Sequence, residues 1–134
     1  MKTSRLFTLF VLAVANLFTP GCGLNKDYLV AVQIAPSGGT ATAGTSGDTV
    51  QFKATGWYAT VNCGQYGSCY TDPPDRHQPL ANASWVTSDP ANTKIDASGL
   101  ATCISPTSLP ATITATGQGG YYGPIKGTGT LICD

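Results

Sequence analysis

Glutamate is absent from this chain, histidine occurs once, and charged side chains make up only 10% of its residues. Beyond residue 21 the five cations, Lys26, Lys53, Arg76, Lys94 and Lys126, face seven aspartates, a balance of −2. A surface this sparse and weakly acidic has no basic patch to neutralise phosphates, which excludes nucleic acid as a partner. Paired Cys-x-x-Cys spacing is also missing, and with one histidine a zinc site is excluded too. No amphipathic helix pattern occurs beyond the N-terminal segment. The one long apolar run, Leu6 to Phe18, is 13 residues, short of the roughly 20 that a spanning helix needs.

What the N-terminus does contain is Lys2 and Arg5, then that apolar run, then Thr19-Pro20-Gly21-Cys22. A basic start, a short apolar core and small residues before a cleavage point have the layout of a secretory signal. The boundary Gly21-Cys22-Gly23 resembles a bacterial lipoprotein processing site. That resemblance implies cleavage before Cys22, lipidation of Cys22, and a membrane anchor in which each buried methylene contributes about 0.8 kcal/mol. The division expected is a signal over residues 1–21, a linker over 22–28 and one domain over 29–134.

Four further cysteines remain: Cys63, Cys69, Cys103 and Cys133. An even number in an exported chain reads as two disulfides with three possible connectivities. The pairing expected is Cys63 with Cys69, closing a small Gly-rich loop, and Cys103 with Cys133, tying an inner strand to the last one.

Along the chain, Leu29 to Ala35 alternates with Val30, Val32 and Ile34 on one face, and Thr49 to Thr55 with Val50, Phe52 and Ala54 on one face. Both are half-buried strands. Pro36 to Gly47, rich in Gly, Ser and Thr, reads as a flexible connection. Residues 57–82 read as an irregular Cys-bearing insertion, because the prolines between Thr71 and Pro79 preclude a central strand; a continuation of the preceding strand over Trp57 to Val61 is the alternative for its start. Ser84 to Thr87 resumes sheet structure around an inward Trp85. Thr93 to Asp96, Leu100 to Ile104, Ala111 to Thr116 and Gly127 to Cys133 follow as strands, with Gly99 supplying positive φ in the turn after Ala97. The facing of the last strand is ambiguous, since Leu131 and Ile132 are both apolar.

About seven short strands separated by turn signals, with a Trp on the third, predict an all-β, immunoglobulin-like antiparallel sandwich. The ordered series Ile34-Ala35-Pro36-Ser37, Thr49-Val50-Gln51-Phe52-Lys53-Ala54-Thr55-Gly56, Trp85-Val86-Thr87-Ser88-Asp89-Pro90, Ile95-Asp96-Ala97-Ser98-Gly99-Leu100-Ala101-Thr102 and Ala111-Thr112-Ile113-Thr114-Ala115 resembles the group 2 bacterial Ig-like domains. The resemblance runs from Leu29 to Cys133. The chain departs from that family in its disulfides and in the long insertion, which moves attention to the insertion.

Candidate chemistry is thin. His77 lies two residues from Asp75 and five from Asp72, the arrangement of a base with an orienting carboxylate, yet no nucleophile is coupled to it and a lone histidine is weak evidence. Asp89, Asn92 and Asp96 offer oxygens near turns without the spacing of a calcium loop, and turn formation accounts for them. No catalytic residue, metal or cofactor is therefore assigned. Trp57, Tyr58, Tyr66 and Tyr70 around the insertion, with Tyr121 and Tyr122 in a Gly-rich tip, are candidates to stack on sugar rings or anchor a protein; covering the sandwich edge is the alternative. The expectation is a non-catalytic envelope protein, lipid-anchored on the periplasmic or surface face or otherwise secreted, that binds an envelope protein or polysaccharide. The narrower alternative is a small carbohydrate-binding protein.

Overall fold

Phe52 is fully buried, and the alternating strand around it organises the molecule. The computed structural model describes residues 26–64, 69–119 and 123–134. The N-terminal segment with Cys22, and Tyr66, Tyr121 and Tyr122, lie outside the described residues. Eleven strands occur among those described and no helix: β1 Lys26–Ala35, β2 Gly38–Ala41, β3 Thr49–Gln51, β4 Lys53–Cys63, β5 Cys69–Thr71, β6 Arg76–Pro79, β7 Ser84–Thr87, β8 Thr93–Ile95, β9 Leu100–Cys103, β10 Ala111–Gly119 and β11 Gly123–Cys133.

The eleven reduce to the seven strands of an immunoglobulin-like sandwich plus two in the insertion. β1 and β2 form one strand that changes sheets at Pro36: β1 pairs antiparallel with β4, and β2 pairs parallel with β11. β3 and β4 are one strand interrupted at Phe52, whose N–H donates to the Gly99 carbonyl at 2.9 Å. One layer therefore holds β1, β3, β4, β9 and β8, and the other holds β2, β11, β10 and β7 in that order.

The core lies between the layers, where every second residue points inward. β1 contributes Leu29, Val32 and Ile34; β10 contributes Ile113 and Ala115; Ala41, Phe52, Ala54, Ala101, Leu131 and the half-cystines Cys103 and Cys133 complete it. The ambiguous last strand resolves with Leu131 inward and Ile132 41% exposed. Trp85 packs against the core from β7, as expected. Cys103 and Cys133, both buried, are bonded and join the two layers through β9 and β11. Cys63 and Cys69 are bonded across the ends of β4 and β5. Both expected pairings are therefore present.

Several boundaries differ from expectation. Leu29, rather than Val30, faces the core, because the β1–β4 register shifts between Leu29 and Ala31. A bulge adds one unpaired residue and flips the facing on one side of it. Residues 38–41, expected within a flexible connection, form β2. A Cβ at Gly39 would come 2.5 Å from the Val50 side chain, so this strand is glycine for close approach and shows no hydrophobic alternation. β1 also starts earlier than Leu29, with Lys26 already paired to Val61. β4 runs unbroken to Cys63, so Trp57 to Cys63 belongs to the sandwich strand. The prolines do exclude a central strand, but Arg76–Pro79 forms an edge one.

Candidate functional site

The insertion adds β5 and β6 to the same edge of β4, opposite β1. Thr55 to Tyr58 pair with β1 on one side and with β6 on the other, and Val61 pairs with both Lys26 and Thr71. Each added strand is followed by one more main-chain bond to β4, Asp72 N–H donating to Thr60 O at 3.1 Å after β5 and Leu80 N–H to Ala54 O at 2.9 Å after β6. The added strands widen one sheet past the turn that joins β8 to β9.

This widened sheet separates the expected aromatic cluster. Adjacent residues of a strand point to opposite faces, so Trp57 and Tyr58 do not share a surface. Tyr58 packs against the core beside Leu29, its cross-strand partner. Trp57 lies half-buried on the outer face, between Ala31 of β1 and His77 of β6. Its ring meets the His77 imidazole with centroids 5.0 Å apart and planes tilted by 33°, and its Nε1 donates to Gln33 Oε1 at 3.4 Å. Further along the same face Ala59 is 1% exposed, although it belongs to no part of the central core. Trp57, Val61 and Tyr28 are its neighbours by register on this outer face. Tyr70, on β5, is 64% exposed.

On the inward-facing side of the widened sheet, Arg76 forms an ion pair with Asp27. Thr60 Oγ1 also donates to Asp27 Oδ1 at 2.8 Å. The Arg76 hydrogen bond, then that from Thr60, hold the Asp27 carboxyl below its ordinary value, and Asp27 in turn raises the Arg76 guanidinium. These groups border a recess of about 290 Å³ lined by Asp27, Tyr58, Arg76, His77 and Gln78. Neither Asp27, Gln33 nor Arg76 stood out in the sequence, because their meeting depends on two registers, β1 with β4 and β4 with β6.

Asp72, Asp75 and His77 do not converge. Asp72 accepts a hydrogen bond from Asn62 Nδ2 at 2.7 Å, Arg76 turns to Asp27, and the His77 ring lies on Trp57. Asp89 and Asp96 serve separate turns. Asn92 Nδ2 donates to both Asp89 oxygens, at 3.2 and 2.9 Å. Asp96 Oδ1 accepts from Ser98 N, Ser98 Oγ and Leu100 N at 2.8, 2.6 and 3.0 Å. Among the described residues no three potential ligands gather to hold a metal ion.

No protein-family model matches the chain, and no curated protein matches it. Fold and site geometry therefore carry the functional argument.

Proposed function

We propose that the chain is a non-catalytic bacterial envelope protein, exported and anchored through a lipid on Cys22, whose single Ig-like domain of the group 2 type serves a binding or structural role. The observation that supports this most is the cysteine pairing. Four of the five cysteines are bonded to one another, which fits an oxidising compartment. Of the side chains read as an acid–base arrangement, Asp72 accepts a hydrogen bond from Asn62 and the His77 ring lies against Trp57.

Cell fractionation tests the anchor: Cys22→Ser moves the protein from the membrane fraction to the soluble one, and unchanged fractionation refutes lipidation. The soluble variant also tests the narrower carbohydrate reading, which rests on Trp57, His77 and Gln33 sharing the outer face of the widened sheet. Envelope glycans should quench its fluorescence, and the quenching should disappear in Trp57→Phe. Quenching that persists in that variant, or none at all, refutes glycan binding at this face.

A further inference from the structure

The two disulfides differ in what surrounds them. Cys103 and Cys133 are 3% and 1% exposed within the core, whereas Cys63 and Cys69 are both exposed at the ends of β4 and β5. Thiol–disulfide exchange needs a thiolate to reach a sulfur directly, so burial protects the first bridge and exposure opens the second to attack. The strand held by the second bridge has little else to hold it. All three residues of β5 are exposed, and none belongs to the core. Asp72 N–H bonds to Thr60 O, so the alternation of an antiparallel ladder makes Asn62 and Tyr70, which face each other, the next bonded pair. The bond from Asn62 Nδ2 to Asp72 at 2.7 Å adds side-chain support, and it too is exposed. β6 is fastened independently of the bridge. Arg76 pairs with Asp27, the His77 ring lies on Trp57, and Leu80, just beyond β6, bonds to Ala54 O and packs against the core.

From these contrasts we infer that Cys63–Cys69 is a redox switch, opened by a protein dithiol of the Cys-x-x-Cys class while Cys103–Cys133 stays closed. One thiolate of the dithiol attacks a sulfur of the exposed bridge, forming a mixed disulfide and releasing the other cysteine of the pair as a thiolate that takes up a proton. The second thiolate of the dithiol then attacks the mixed disulfide and frees the remaining cysteine. Two electrons and two protons pass to Cys63 and Cys69, and the dithiol is left oxidised to its own disulfide. Opening the bridge removes the closure of a six-residue spacing, and no burial keeps so short a strand in place. β5 leaves and β6 remains. The N–H and C=O of Asn62 then become a free edge at the end of β4. None of this depends on lipid at Cys22.

The test treats the oxidised protein with a reduced thioredoxin-type dithiol, traps free thiols with an alkylating label and maps the peptides. Label should enter Cys63 and Cys69 at least about ten-fold faster than Cys103 and Cys133, because access sets the rate. Amide hydrogen exchange on the same samples should rise about ten-fold or more at Tyr70 and Asp72 once the bridge is open, while Leu80 and Ile113 keep their oxidised rates. The variant Cys63→Ser with Cys69→Ser should show the raised exchange without any reductant. Equal labelling of the two pairs, or no labelling of either, overturns the switch. Slow exchange at Tyr70 and Asp72 in the opened protein or in the double variant overturns the release of β5, and an equal rise at Leu80 overturns the separate hold on β6.

Discussion

The Asp96 carboxylate closes the turn between β8 and β9 by accepting three hydrogen bonds, and Gly99 completes that turn at φ 84°. A Cβ there would collide with the Phe52 carbonyl and the Trp85 indole. The Ser98 hydroxyl first, then the Leu100 N–H, lower the Asp96 pKa from its ordinary 3.8. Asp48, accepting from the Thr42 N–H at 2.7 Å, and Asp27 are lowered as well. A carboxyl whose folded pKa is depressed contributes stability that is fully present above the unfolded value and is lost as pH falls through the folded one. The urea midpoint should therefore hold steady down to about pH 4 and decline below it. Asp96→Asn keeps the turn but cannot titrate, so between pH 6 and pH 3 its midpoint should fall less than that of the parent; an equal fall contradicts the assignment.

The elements most legible in the sequence are those buried on one face only. β10 and the run from Thr49 to Thr55 alternate because one side meets the core and the other meets water, and both took the predicted facing. β2 and β6 were hidden for the opposite reason: main-chain pairing holds them, and neither Gly38-Gly39 nor His77-Gln78 carries a hydrophobic period. The bulge at Val30 was equally hidden, since only the register reveals which of two neighbouring aliphatics turns inward. The candidate site suffered most, because Trp57 with His77, and Asp27 with Arg76, are pairs between strands that no spacing in the chain announces. The disulfides were readable from count and context, and they differ at the level of elements. Cys103–Cys133 spans 30 residues and joins the two layers from a buried position, whereas Cys63–Cys69 spans six at an exposed hairpin end. Loop-closure entropy assigns about 3.6 kcal/mol to the first and about 2 to the second. In urea denaturation, replacing Cys103 and Cys133 together by Ala should cost more than the same change at Cys63 and Cys69, with the void left in the core widening the gap. Equal losses would mean that the layers are not held by the buried bridge.

At the scale of the molecule the sandwich has two unlike ends. β1 starts beside the insertion, where Lys26 pairs with Val61, while β11 and the Cys103–Cys133 bridge finish at the other end. With the anchor proposed at Cys22, the lipid and the sandwich act independently, because the two are joined only through the chain that leads to β1. Twelve Gly and Ser residues inserted between Gly23 and Leu24, a flexible segment with a root-mean-square span of about 19 Å, should therefore leave both the membrane fraction and the urea midpoint unchanged. A shift of the inserted protein to the soluble fraction would mean that contacts of the domain itself hold it on the membrane, and a lower midpoint would mean that the segment before β1 is part of the packed structure.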